Sequence, residues 1–287
     1  MPLKKPTGGF PHNNPKVSII TVVFNGADYI EQTMQSVASQ TYHNLEYIII
    51  DGGSTDGTVE IIKKYASHLA YWHSKPDGGL AQAFNLGLAQ AHGQWILFLH
   101  ADDFLLRPTV VEEVLPHLEL HAQADVVLGE TIMMARQKNP LPVPFKKMGP
   151  RPWRWPEFRL LNTIPHQAAF TNRRYFERVG NFNETFNIAL DYELYLREGK
   201  ALRVQCIPLA VSGMREGGVS GKNVLRIYRE KRRAQLSTKA LPPWLAWINF
   251  FWRIGRFYLA RLGHIIMDPF ASKICYPGRR SGRLLSL

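Results

Sequence analysis

Two carboxylates stand side by side in His100-Ala101-Asp102-Asp103, directly after the apolar run Trp95–Leu99. Adjacent carboxylates repel unless a cation compensates them. A divalent Mg²⁺ or Mn²⁺ bridging a diphosphate would do so, because hard cations take oxygen ligands. The same tetrapeptide also reads as one aspartate capping a helix and the other solvated. A second candidate is Asp51-Gly-Gly-Ser-Thr-Asp-Gly-Thr58, whose glycines let a backbone approach a ligand and whose Asp51 could accept from a base imide. It is equally a well-capped turn. Asp191 opens an apparent helix and reads either as a general base or as a charge placed for the helix dipole. His166-Gln167 and Arg215, the latter followed by Gly217-Gly-Val-Ser220, could touch a ligand or phosphate, or merely start a strand and close a loop.

These residues must be positioned by something, and the first 200 residues alternate strand and helix signals. Val17–Phe24, Glu46–Ile50, Leu69–His73, Trp95–Leu99 and Asp125–Leu128 read as strands. Between them, Ile30, Met34 and Val37, then Val59, Ile62 and Ala66, then Leu80, Ala83, Phe84, Gly87 and Ala91 recur at helical spacing. Such alternation predicts an α/β domain built on a mostly parallel, Rossmann-like sheet, which binds ligands beyond the carboxyl ends of its strands. Asn25, Asp51, Asp77 and Asp102-Asp103 all fall at such ends. Further on, Gln167–Phe170 reads as a strand, Leu190–Glu198 as a helix and Val204–Val211 as an edge strand, because Pro208 interrupts it. The proline-rich stretch Arg136–Trp155 reads as a functional or mobile loop.

Composition narrows the class. The 287 residues are 45% hydrophobic and 20% charged, enough apolar material for a core. Two cysteines exclude a disulfide framework and a cysteine-built zinc site. Neither G-x-G-x-x-G nor G-x-x-x-x-G-K-[ST] occurs, which argues against dehydrogenase and P-loop readings. The net charge of +12 is confined to the end of the chain: residues 1–212 carry 20 Lys/Arg and 20 Asp/Glu, residues 213–287 carry 15 and 3. A neutral body with a basic tail points to an anionic partner.

Taken in order, Val17–Asn25, Asp51–Thr58, Asp77-Gly-Gly79, Ala83-Phe-Asn85-Leu-Gly87, His100–Asp103, His166-Gln167, Gly180–Glu184 and Ala189–Leu194 resemble the family 2 glycosyltransferases of the GT-A fold. The likeness is greatest to bacterial enzymes of surface-polysaccharide assembly. It covers roughly residues 16–220 and implies an inverting transfer from a nucleotide-diphosphate sugar, UDP-sugars favoured, to a glycan or lipid-linked acceptor. It implies that Asp51 contacts the nucleobase in a pocket lined by Thr21, Val23 and Asn25. Asp77, Asn85, His100 and Ala101 would lie near the nucleotide, Asp102 with Asp103 would hold the metal, and Asp191 would be the base. His166, Gln167 and Arg215 would serve the donor, acceptor or phosphate. One departure is His100, which stands where the family's D-x-D motif usually begins with Asp.

The expected organisation is an arm (1–15), a catalytic domain (16–220) and a basic, aromatic helical tail (221–287). In the tail, Arg229, Lys231, Arg232 and Arg233 form a cluster. A helix after Pro242-Pro243 would place Arg253, Arg256, Ala260 and His264 on one face and Trp and Phe on the rest. That pattern suits an anionic bilayer surface. With no signal peptide or spanning segment in the sequence, the expected location is the cytoplasm, peripheral on the inner membrane face. The rival readings are a nucleotidyltransferase, an inactive glycan-binding relative, or a nucleic-acid-binding protein. The neutral body and the lack of a nucleic-acid motif speak against the last.

Overall fold

The structure, a computed structural model, describes residues 15–135, 144–149, 152–216 and 224–271. Its strands are β1 (Val17–Val23), β2 (Leu45–Asp51), β3 (Tyr71–Ser74), β4 (Trp95–His100), β5 (Phe104–Leu105), β6 (Val126–Met134), β7 (Pro144–Met148), β8 (Ala169–Asn172) and β9 (Val204–Arg215). They form one nine-stranded sheet in the order β3-β2-β1-β4-β8-β6-β9-β5, with β7 paired to β6. β1 to β4 are mutually parallel. β8 runs against both β4 and β6, so β6 and its parallel neighbour β9 point the same way as the first four strands. Only β5, β7 and β8 are reversed, and the sheet is mostly parallel as expected.

Alternation along the strands explains why both faces are covered. Ile20, Ile48, Ile50, Ile96 and Phe98 enter one buried cluster. Ile19, Ile49, Trp95, Leu97 and Leu99, one residue out of phase, enter another. Each side chain buried in this way contributes about 1.5–3 kcal/mol. Helices α1 (Ile30–Ala38), α2 (Thr58–Lys64), α3 (Leu80–Gln90) and α4 (Val110–Leu120) follow the apolar spacing of the sequence. In α3, Gly87 is required by close packing, since a Cβ there would run into Ile20 of β1.

Three elements differ from the sequence reading. β9 runs four residues past Val211, and that extension gains a second neighbour: β5 pairs with Ser212 and Gly213, whereas Val204–Ala210 has β6 alone and forms an edge as expected. Pro208 falls where its pairing with β6 slips, between the Leu128↔Cys206 and Glu130↔Ala210 partners, so its missing N–H costs no ladder bond. The stretch Arg136–Trp155 contains β7, and Gln167 lies in a 3₁₀ turn (His166–Ala168) ahead of β8.

The remaining helices are α5 (Trp155–Leu161), α6 (Arg173–Val179), α7 (Leu190–Leu196), α8 (Val224–Ser237) and α9 (Pro243–Ala271). The expected boundary at residue 220 does not separate two packed bodies. Ala234 and Ala240 are buried in the same cluster as Ile20 and Phe84. From α8, Glu230 Oε2 accepts the backbone N–H groups of Asn187 (3.1 Å), Ile188 (2.7 Å) and Ala189 (3.0 Å), immediately ahead of α7. Arg233 lies over the Phe186 ring and bonds the Thr185 carbonyl.

Part of the basic surface expected on the tail packs against the protein, while Arg229, Arg233 and Arg256 stay exposed. Arg232 stacks 3.6 Å from the Trp247 ring centroid, and Arg253 donates to the Leu160 carbonyl at 3.2 Å. What α9 presents outward is a stripe of exposed Trp244, Ile248, Phe251, Trp252 and Tyr258, with Arg256 over Trp252. The side chains of Ala260 and His264 lie outside the described residues. Among the described residues, no helix is long and apolar enough to cross a membrane.

Candidate active site

Parallel pairing puts four strand ends on one edge. Val23 pairs with Asp51, Asp51 with Ser74, and Val22 with His100. At the first two ends the chain builds a rigid turn. Asp51 is fully buried. Its Oδ2 accepts from the N–H of Gly53 (3.1 Å) and Ser54 (2.9 Å) and from Ser74 Oγ (2.6 Å). Asn25, at positive φ, donates its N–H to Ser54 Oγ and accepts from the Thr55 N–H at 3.0 Å.

Several residues expected around the nucleotide have protein partners here. Asp51 organises the turn from inside it. Thr21 is buried in mid-strand and accepts from the Tyr47 hydroxyl at 3.1 Å, and Val23 lies in the apolar core. Asn85 clasps the Phe182 backbone through both its amide atoms, at 2.9 and 3.0 Å, and donates to Glu184. Val23 ends its strand at the edge with its side chain in the core, while the Thr21 and Asn85 side chains engage protein partners. Asp77 stays beside the turn, accepting from the Gly79 N–H at 2.8 Å. A Cβ at Gly52 would lie 3.2 Å from Asp77 Oδ2 and 3.4 Å from the Phe24 ring. Phe24, just past the end of β1 and within the Thr21–Asn25 strand end expected to line the pocket, is 67% exposed.

The His100–Asp103 segment splits its two carboxylates. Asp103 turns inward at 2% exposure, and its Oδ2 has no hydrogen-bond partner among the described residues. Burial and the neighbouring Asp102 push its carboxyl well above the usual range, against the opposing influence of Gln167 and Arg215. Asp103 is therefore a buried acid rather than a second ligand on the edge, and the half-buried Asp102 is the carboxylate that remains there. Arg215, 4% exposed, also departs from its expected phosphate role. It is held between the Tyr29 and Phe104 rings (4.9 and 5.0 Å) and donates to the Asp102 carbonyl and to Gln32, bracing the loop from behind. Gln167 sits behind the same loop, donating to Met214 Sδ. The Gly217–Ser220 turn lies outside the described residues.

Beyond β4 a run of contacts leads to Asp191. The His100 and His166 rings meet edge to face at 4.7 Å. His166 Nδ1 lies 3.3 Å from Asp191 Oδ2, Asn162 Nδ2 lies 3.5 Å from the same oxygen, and the Tyr192 N–H donates to Oδ1 at 2.7 Å. Burial works to raise the Asp191 carboxyl. The hydrogen bond and charge of His166, the Tyr192 N–H and the charge of Lys231 outweigh it and hold the group below the ordinary carboxylate range. These contacts favour the charged form of the Asp191 carboxyl. His100 is pushed down to about 3 by burial and by His166, which keeps its imidazole neutral. Asp191 and His166 open onto a cavity of about 460 Å³ that Trp153 and Arg154 line on one side and Lys231 of α8 on the other.

Among the described residues, no three His, Cys, Asp or Glu side chains converge as a metal site. The donor set fits a hard cation held by the Asp102 carboxylate with oxygens of a bound diphosphate completing its shell, as Mg²⁺ and Mn²⁺ commonly are.

Comparison with known proteins agrees with this architecture. The profile of glycosyl transferase family 2 matches residues 18–180. A PGL/p-HBAD biosynthesis glycosyltransferase of Mycobacterium tuberculosis (strain ATCC 25177 / H37Ra) is 31% identical over 237 residues, covering 78% of this chain and 86% of that protein. An uncharacterized glycosyltransferase of the same species (strain CDC 1551 / Oshkosh) is 31% identical over 201 residues, covering 67% of this chain and 73% of that protein. Among solved structures, S. aureus TarS 1-349 in complex with UDP-GlcNAc aligns with TM-score 0.58 at 21% identity, covering 91% of this chain and 76% of that one. The mannosyltransferase PcManGT of Pyrobaculum calidifontis, in complex with GDP-Man and Mn²⁺, aligns with TM-score 0.58 at 18% identity, covering 96% and 86%. The fold is GT-A, and the chain belongs to glycosyl transferase family 2: it is a glycosyltransferase.

Proposed function

We propose that this enzyme moves a sugar from a nucleoside-diphosphate sugar, a UDP-sugar in preference, to a hydroxyl of a glycan or lipid-linked acceptor in cell-surface polysaccharide assembly, inverting the anomeric configuration. The observation that carries the reading is Asp191. It is an ionised carboxylate oriented by His166 on a cavity wall, one imidazole away from the strand edge where the donor would lie. Asp191 takes the acceptor's hydroxyl proton as that oxygen attacks the anomeric carbon. The new C–O bond forms as the bond to the diphosphate breaks, and the nucleoside diphosphate leaves with the electron pair. A positioned base of this kind contributes about 10²–10⁴-fold. His166 Nδ1–H fixes the carboxylate's orientation, and neutral His100 packs against His166 without adding charge. The exposed Phe24 ring beside Gly52 and Asp77 offers a flat face for a nucleobase. A divalent cation on Asp102 would supply charge stabilisation to the leaving diphosphate. That one neighbour was solved with GDP-Man and Mn²⁺ and another with UDP-GlcNAc supports both parts of the donor reading.

A panel of nucleotide sugars, screened by thermal stabilisation and by release of nucleoside diphosphate with and without Mn²⁺, tests this. Asp191→Asn is expected to bind the donor as the parent does and to stop transfer. Transfer at the parent rate would remove the base assignment.

We also propose that α9 rests on an anionic membrane surface, placing the enzyme on the inner face of the cell membrane. The outward aromatic stripe of Trp244, Phe251 and Trp252, with exposed Arg256 beside it, supports that reading. Aromatic side chains favour the bilayer interface. Cosedimentation with vesicles containing anionic lipid should fall when these three are replaced by serine. Unchanged cosedimentation would end the proposal.

A further inference from the structure

The cavity beside Asp191 is unevenly committed in charge. Its two carboxylates are engaged: Asp191 is bonded by His166, Asn162 and the Tyr192 N–H, and Glu157 also has an interaction. Two other charged side chains of its wall, Lys231 and Arg154, make no hydrogen bond or ion pair with any described residue, the Arg154 backbone carbonyl alone accepting from Glu157 and Phe158. Lys231 is the more telling. It sits half-buried on α8 with its ammonium 6.0 Å from the Tyr192 ring, and it feels Asp191 from α7 and the repelling Arg253 from α9. Burial, with Arg253, lowers its pKa to about 8 against the opposing pull of Asp191. A half-buried ammonium on a cavity wall favours a ligand that brings an anionic acceptor to it. The other walls include Trp153, Ile164 and Ile227, which offer apolar surface to the carbon face of a sugar ring.

We propose that this cavity is the acceptor site and that the acceptor is acidic, carrying a carboxylate or phosphate that sits on Lys231, with Arg154 at the rim, while the attacking hydroxyl lies at Asp191. This deepens the sugar-transfer reading and rests on it. The size fits: small-ligand pockets are commonly about 300–1,000 Å³, and this one is about 460 Å³. Lys231 acts here as a specificity residue, because it selects the acceptor's charge and leaves the donor side untouched.

The test is binding of the full-length protein, with UDP present, to an array of neutral, uronic-acid-bearing and phosphate-bearing glycans. Signal is expected on one or both acidic classes, and which class responds identifies the anion. Lys231→Met should lower that signal at least tenfold, Lys231→Arg should retain most of it, and Arg154→Gln should lower it too. Binding of UDP alone, measured by calorimetry, should be the same in all variants. Equal signal on neutral glycans, no signal on any class, or acidic signal unaffected by both Lys231→Met and Arg154→Gln would overturn the proposal. Failure of the parent to bind UDP, or any other nucleotide of the donor panel, would instead strike at the sugar-transfer reading beneath it.

Discussion

Removing the Glu230 carboxylate should loosen the helix that carries the catalytic base. One oxygen of this 8%-exposed side chain accepts three consecutive backbone N–H groups, those of Asn187, Ile188 and Ala189, at 2.7–3.1 Å. Hydrogen bonds to a charged group are worth about 1.5–3 kcal/mol each, and a negative charge near a helix start adds about 0.3–1 kcal/mol. Because the three bonds share one acceptor, they do not sum fully, and about 4 kcal/mol is a reasonable total for Glu230→Ala. At about 2–4 °C per kcal/mol for a large domain, the melting temperature should drop by roughly 8–16 °C. Glu230→Gln keeps an oxygen but loses the charge and should fall between the two. The assay is thermal unfolding of the full chain by circular dichroism, with transfer rate measured well below the melt. Transfer should fall even where the protein stays folded, because Asp191 follows two residues after the last of these N–H groups. An alanine variant melting within about 2 °C of the parent would show that the three contacts carry no net stability.

Other outcomes follow from the same geometry. Asp102→Ala should abolish the Mn²⁺-dependent part of nucleotide binding measured by calorimetry, whereas Asp103→Asn, which removes a buried acid, should preserve it. Phe24→Ala should weaken nucleotide binding by roughly tenfold, about 1.4 kcal/mol, with little change in melting temperature, because the ring is largely exposed. Gly93→Ala should destabilise strongly, since a Cβ there would press on the Ser18 backbone and lie 2.9 Å from the Lys16 carbonyl. Burial raises the Asp125 carboxyl, but bonds from Arg203 and Arg178 hold it below the ordinary range. Its stability contribution should therefore be present above the unfolded carboxylate value near 4 and disappear as pH falls through the lower folded value. Asp125→Asn should flatten that acid limb in denaturant titrations.

Much of the fold was legible because the strands announce themselves twice, by β-branched runs and by the polar residues that end them. Val17–Val23, Trp95–His100 and the capped turn after Asp51 are local signals, and they appear close to where the sequence puts them. What was not legible depended on contacts between distant segments. Pro208 marks the edge stretch of β9, but the bulge around it, in which four steps of β9 match two of β6, and the cover that β5 gives the end of the strand both depend on partners distant in sequence. Asn85 and Arg215 have side chains suited to a nucleotide and a phosphate. Their partners, the Phe182 backbone and the Asp102 carbonyl, lie about a hundred residues away and leave no trace in local spacing. The Asp102-Asp103 pair illustrates the same limit: adjacency shows two carboxylates but not that only one of them turns to the edge. The basic cluster of α8 misled most. Its run of cations suggests one solvated face, yet Arg232 stacks on Trp247 and Lys231 faces the cavity while Arg229 and Arg233 remain exposed.

Glu230 and Lys231 have one further consequence. Neighbouring residues on a helix point about 100° apart, so one chain step separates the group gathering the N–H groups before α7 from the one facing the cavity. Loss of a single residue earlier in α8 would wind both out of place together. An ammonium would meet donors that need an acceptor, and Arg232 would swing from the Trp247 ring toward the base. Register within this helix is thus as demanding as any individual side chain of the site, although almost any residue on its outward surface could be exchanged without disturbing it.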